Sequence, residues 1–152
     1  IVLKQYNVFL EVVAAVKKVI PSVKAVLCGE GPEEKKLREL TKEWGLEENI
    51  ELAGKKSHTE VVQLMQQTKV FLHPSSYEGF GVVCLEALYA GAHVISFCKP
   101  MIKDIDHWHI TNTPEEMIKK TLEILCNPRS EYKPVLVSSI DESAKAVMQI
   151  FN

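Results

Sequence analysis

Short apolar runs and amphipathic stretches take turns along this 152-residue chain, and the alternation restricts its fold more than any other feature. Residues 5 to 20 place Val8, Leu10, Val12, Val13, Val16 and Ile20 at helical spacing, with Lys17 and Lys18 near the end. Lys24 to Cys28 is a short apolar run closed by Gly29, the form of a buried strand. Pro32, Glu33 and Glu34 open a second helix, whose buried side carries Leu37, Leu40 and Trp44 and which Gly45 stops. Asn49 to Gly54 is strand-like, and Ser57-His58-Thr59-Glu60 has the form of a capping box ahead of Val61, Val62, Leu64 and Met65. Val70 to Leu72 and His93 to Phe97 read as further strands, separated by a helix from Gly81 to Tyr89 that Gly91 ends. Helices from Thr113 to about Leu125 and from about Ser139 to Ile150 complete the pattern, while residues 98 to 112 show no clear period. Strands alternating with helices pair in parallel through right-handed crossovers. The expectation is an α/β three-layer sandwich, a mainly parallel, doubly wound sheet with helices on both faces, in one domain over residues 1–152.

A chain of this length buries a real core. Its formal net charge of −2 comes without a basic stripe, which argues against a nucleic-acid partner. No apolar run approaches the roughly 20 residues that span a membrane, and no signal peptide opens the sequence. Cys28, Cys84, Cys98 and Cys126 are scattered in apolar contexts without C-x-x-C spacing, so buried thiols in a reducing, cytoplasmic compartment are expected. The first residues are Ile1-Val2-Leu3 rather than Met, which reads as a piece of something longer.

Ligands of doubly wound sheets bind beyond the carboxyl ends of the strands. Three loops fall there: Gly29 to Pro32, Gly54 to Ser57, and His73 to Gly81. The bare N–H groups of Val82 and Val83, after Gly81, suit an anion at a helix start. Gly29-Glu30-Gly31-Pro32 lacks the third glycine of the dinucleotide fingerprint and the Gly-Lys-Ser/Thr ending of the phosphate loop, and it reads equally well as a tight turn. Two acids then stand out. Glu78 lies in the loop before the helix, and Glu86 more than a turn inside it among apolar neighbours. A carboxylate accepts two hydrogen bonds side by side, which suits a vicinal diol. A nucleotide sugar presents a ribose diol, a diphosphate and sugar hydroxyls in a row, and Glu86, the helix start and Glu78 occur in a compatible order.

The stretch Pro74-Ser75-Ser76-Tyr77-Glu78-Gly79-Phe80-Gly81, followed by Glu86-Ala87, resembles the signature of the retaining glycosyltransferases of group 1, also called family 4. These are GT-B enzymes built from two Rossmann-like domains, and the chain is similar to the C-terminal, donor-binding half. The glycines of Gly29-Glu30-Gly31-Pro32, the strand Ile50 to Gly54, and Gly91 after the motif helix match in order. The resemblance implies that Glu78 holds donor-sugar hydroxyls and Glu86 the ribose diol. It implies that Phe80, Gly81, Val82 and Val83, with Ser75, Gly79, Gly29 and Gly31 nearby, line the diphosphate and sugar, and that Gly54, Lys55 and Lys56 face the base. Lys4, in Lys4-Gln5-Tyr6-Asn7, is similar to the lysine that neutralises the departing diphosphate, a role in which a fixed cation lowers the barrier. No metal or other cofactor is implied. The partners implied are a nucleoside-diphosphate sugar and an N-terminal acceptor-binding domain absent from this chain, which would also settle any attachment to a membrane face and the acceptor, a polysaccharide or lipid-linked intermediate.

Several positions depart from that signature. Gln5 replaces a glycine after Lys4, Ala92-His93 stand where a proline usually follows Gly91, and Cys98-Lys99-Pro100-Met101 replace a Gly-Gly segment. A GT-B sugar-nucleotide epimerase domain and a stand-alone nucleotide-sugar-binding module remain alternative readings. His107-Trp108-His109 offers two imidazoles and no third ligand at sequence spacing, and such neighbours point to opposite faces of an extended strand. A loop or edge-strand role is expected for both. His73, beside Pro74, reads either as a sugar-positioning side chain or as a structural one.

Overall fold

The structure, a computed structural model, describes residues 5–77, 81–99, 104–130 and 134–135. Elements run α1 (Tyr6–Val19), β1 (Ala25–Cys28), α2 (Glu34–Glu43), β2 (Ile50–Gly54), α3 (His58–Gln66), β3 (Val70–His73), α4 (Val82–Ala90), β4 (His93–Ser96), β5 (Trp108–Ile110) and α5 (Pro114–Cys126). The expected alternation holds from α1 to β4, where β5 follows with no helix between them among the described residues. β5 occupies part of the region that showed no period, and the helix expected after residue 139 lies outside the described residues.

Among the described residues all strand pairing is parallel. β1 pairs with β2, and β3, β4 and β5 form a second ladder in that order. The two ladders are joined by packing. Val8, Val12 and Val16 of α1 lie with Ile95 of β4 and Met117 and Ile124 of α5, whereas Phe9, Leu10 and Val13 of the same helix lie with Leu37, Leu46 and Ile50. On the other face, Met65 of α3 and Cys84, Ala87 and Leu88 of α4 pack with Val94 and Trp108. Adjacent residues Val94 and Ile95 therefore point to opposite helix layers, the period-2 pattern of a strand covered on both sides.

Local chemistry sets the boundaries. The capping box at α3 is complete: Glu60 N donates to Ser57 Oγ at 3.3 Å, and Ser57 N donates to Glu60 Oε2 at 2.8 Å. Thr113 caps α5, with Pro114 in its first turn. Buried Asn49 donates from Nδ2 to Pro21 O (3.0 Å) and Val23 O (2.8 Å), tying the start of β2 to the approach of β1.

Two expectations fail here. Trp44 does not join the buried side of α2; it is the C-cap and is 38% exposed, because the helix ends one residue before it. Nor are the four thiols all buried: Cys84 is, Cys28 and Cys98 are half-buried, and Cys126 is exposed. On α5 the inward face belongs to Met117, Thr121 and Ile124, and Cys126 falls off that stripe. Burial still pushes the Cys28 thiol upward, partly offset by Lys56. Among the described residues no helix is long and apolar enough to cross a membrane.

Candidate functional site

The helix after β3 begins on Gly81, whose left-handed backbone (φ 65°, ψ 35°) is one that glycine adopts without the penalty a Cβ would bring. Cys84 and Leu85 N donate to Gly81 O at 2.9 and 3.1 Å, so the helical ladder starts there. The N–H groups of Val82 and Val83 precede that ladder at the positive end of the helix. Val82 is 56% exposed, an apolar side chain left at the mouth of the site.

Glu86 stands one turn further on the same face as Val82, a rise of about 6 Å along the axis. Only a third of its side chain is exposed, and its Oε1 lies 2.8 Å from Nε2 of His58, the first residue of α3. This contact places the loop after β2 and the helix after β3 on the same side of the molecule. An anion at the start of α4 and a diol at Glu86 would thus be separated by about one helical turn, the scale of a nucleoside diphosphate.

The remaining candidates divide. Lys55 is exposed, while Lys56 is half-buried with Nζ 3.8 Å from Glu60 Oε1. Gly29 N donates to Gly54 O at 2.8 Å, which fastens two candidate loops together and commits that N–H. A Cβ built on Gly31 would meet nothing within 4 Å. Ser75 is buried and its hydroxyl donates to Tyr77 O at 2.8 Å, holding its own loop. His73 ends β3 with its ring near that of Phe71, at 6.3 Å. Lys4, Glu78, Gly79 and Phe80 lie outside the described residues.

Two residues not nominated for the site organise this edge. His58 is one; its only signal was its place beside the capping Ser57. The other is Cys98, whose Sγ donates to Ser75 O at 3.1 Å and whose carbonyl accepts from the buried Ser96 hydroxyl at 2.7 Å. Trp108 Nε1 in turn donates to Ser96 Oγ at 2.8 Å, so the loops after β3 and β4 share one hydrogen-bonded network.

A second group of polar side chains gathers at the opposite, amino ends of β4 and β5. His107 has a left-handed φ of 62°, which breaks the alternation expected of His107-Trp108-His109. Both imidazoles consequently approach His93, with ring centroids 4.1 Å (His107) and 5.5 Å (His109) away. With Glu123, Ile124, Asn127, Arg129 and Ser130 they line a cavity of about 330 Å³. The edge-strand position expected for His109 is found, and the opposite-face expectation is not. Among the described residues no group of three or more His, Cys, Asp or Glu side chains is arranged to hold a metal ion.

Residues 2–132 match the family described as glycosyl transferases group 1. The gpi3 subunit of phosphatidylinositol N-acetylglucosaminyltransferase from Schizosaccharomyces pombe is 33% identical over 98 residues, covering 63% of this chain and 22% of that protein. The GtfA subunit of the UDP-N-acetylglucosamine–peptide N-acetylglucosaminyltransferase of Streptococcus parasanguinis is 34% identical over 97 residues, covering 64% of this chain and 19% of its own. The chain thus spans about a fifth of the length of these curated relatives. The crystal structure of the C-terminal domain of a glycosyl transferase group 1 family protein (LpcC) from Francisella tularensis has the same fold, with a TM-score of 0.70 at 20% identity, covering 99% of this chain and 80% of that one.

Proposed function

We propose a donor-binding role for this chain, which belongs to the group 1 glycosyl transferases: it is the C-terminal domain of an N-acetylglucosaminyltransferase that takes the sugar from a uridine diphosphate donor with retention of configuration. The observation that carries this reading is the single helix α4, which offers the N–H groups of its first turn, ahead of the helical ladder, and the Glu86 carboxylate one turn on. The diphosphate rests on the N–H groups of Val82 and Val83, where the helix dipole favours negative charge. Glu86 accepts both ribose hydroxyls, and the loop of Gly54, Lys55 and Lys56 faces the base. Glu78 holds the sugar hydroxyls, and Lys4 neutralises the leaving diphosphate. Both relatives named above transfer N-acetylglucosamine, which supports that sugar over other hexoses. Their greater length supports an acceptor-binding domain preceding this one. On this reading no metal takes part.

The test is calorimetric titration of the chain with UDP, UDP-N-acetylglucosamine and GDP-mannose, with Glu86→Ala in parallel. Binding of the uridine compounds that is lost in the variant is the expected result. Preference for GDP-mannose would overturn the donor assignment, and undiminished binding by Glu86→Ala would remove the ribose from Glu86.

A further inference from the structure

We infer that His58 is a positioning residue for the ribose: it fixes the Glu86 carboxylate in the orientation that receives the diol and couples it to the base-side loop. The inference rests on the donor-binding reading above and assigns a role to a residue outside the family signature.

The geometry is specific. His58 Nε2 donates to Glu86 Oε1 at 2.8 Å, a distance typical of a hydrogen bond to a carboxylate. Glu86 emerges from a helix whose neighbouring residues Cys84, Ala87 and Leu88 are fully buried, so its carboxylate is the one strong acceptor on a largely apolar segment. Left alone, its terminal torsion is broad and roughly two-fold. One N–H bond to Oε1 selects the carboxylate plane and leaves Oε2, with the second lone pair of Oε1, for two hydroxyls. A diol is gripped by both oxygens only if that plane is already set, which is the preorganisation that binding rewards.

The backbone that carries His58 is fixed, although its side chain is 73% exposed. His58 is the first residue of α3, and the complete Ser57–Glu60 capping box fixes the helix start immediately before it. Ser57 ends the loop that begins at Gly54, and Gly54 O is tied to Gly29 N. A base seated against residues 54–57 and a ribose seated on Glu86 therefore meet through one side chain. A pair serving only to clamp α3 to α4 would use the same contact, and the two roles separate by measurement.

The experiment titrates the chain with UDP and with 2′-deoxy-UDP, for the wild type, Glu86→Ala, His58→Ala and His58→Gln, with a melting curve for each. Expected for His58→Ala is a loss of about 5–10-fold in UDP affinity, near the tenfold that 1.4 kcal/mol represents. Loss for 2′-deoxy-UDP should be less than about 2-fold, so that the preference for ribose collapses. Glutamine places an amide N–H near the position of Nε2, and His58→Gln should restore both affinity and preference. If the wild type binds UDP and Glu86→Ala abolishes it while His58→Ala changes neither affinity nor ribose preference, this inference alone falls. If His58→Ala weakens both nucleotides equally, lowers the melting temperature and is not rescued by glutamine, the residue is only a clamp and the inference falls. If the wild type binds neither nucleotide, the donor-binding reading falls and this one with it.

Discussion

His93 Nδ1 and His109 Nε2 lie 3.2 Å apart at the amino ends of β4 and β5, and His93 Nε2 lies 3.2 Å from Ser130 Oγ. A neutral imidazole has one donor nitrogen and one acceptor, so this chain of contacts requires at least one lone pair between the two rings. Protonating both would place two N–H groups face to face. Desolvation is the main reason the His109 pKa is pushed down to about 4, assisted by Lys120, His93 and His107 and opposed by Glu123, with Arg129 also lining the cavity.

The sign of the pH dependence follows. With the folded pKa near 4 and the unfolded value at 6.5, the unfolded chain binds the extra proton first. Stability is therefore at its plateau above pH 6.5 and falls as the pH drops toward 4. Because the imidazole is only half-buried and screened, the loss should be on the order of 1–2 kcal/mol rather than the full linkage value. Denaturant melts at pH 7 and 5.5 should show a smaller difference for His109→Gln than for the wild type; equal differences would refute the assignment. That window avoids Glu60, Asp104 and Glu123, whose carboxyls are held below their ordinary range by hydrogen bonds from Ser57, Lys99 and Lys120 respectively.

Ser57→Ala removes the acceptor for Glu60 N and should cost about 1 kcal/mol of stability, the usual value of an N-cap. The same substitution should weaken UDP binding, because α3 carries His58 toward Glu86. Chemical denaturation checks the first effect and calorimetry the second.

Leu88 is fully buried between α4 and the strands beneath it. Leu88→Ala should cost about 2–5 kcal/mol through lost burial and the cavity left behind. A loss below 1 kcal/mol in a urea melt would show that the α3–α4 layer closes over the gap.

Gly29 and Gly31 should respond differently to alanine. At Gly29 the φ of 138° strains any side chain despite the open space around it, so Gly29→Ala should lower the melting temperature. At Gly31 a Cβ has room and no such φ, and Gly31→Ala should leave stability within about 0.5 kcal/mol. If the donor lies against this loop, Gly31→Ala should nonetheless weaken binding in the same titration.

The elements were legible because their signals were local. The Ser57–Glu60 capping box, Gly91 at the end of α4 and the strand runs at 25–28 and 50–54 each declare a boundary within a few residues. β5 was not legible, since three residues ending in an exposed Ile110 show neither length nor alternation. At the candidate site, Gly81, Val82, Val83 and Glu86 could be read from one continuous stretch. His58 could not, because its contact spans 28 positions and belongs to the packing of α3 on α4. The three-histidine group escaped for a related reason: His93 comes from another strand, and the φ of His107 reverses the facing that a regular strand would give.

Val135 N donates to Leu88 O at 2.9 Å, and Val135 packs on the layer of α3 and α4. This attaches the chain after α5 to the side of the molecule that α5 does not cover, whereas the contact from Ser130 to His93 stays beside α5, at the cavity that Glu123 and Ile124 also line. Tension applied to the chain beyond Val135 would thus be borne first by the final turn of α4. The helix that carries Glu86 also holds the chain that follows α5.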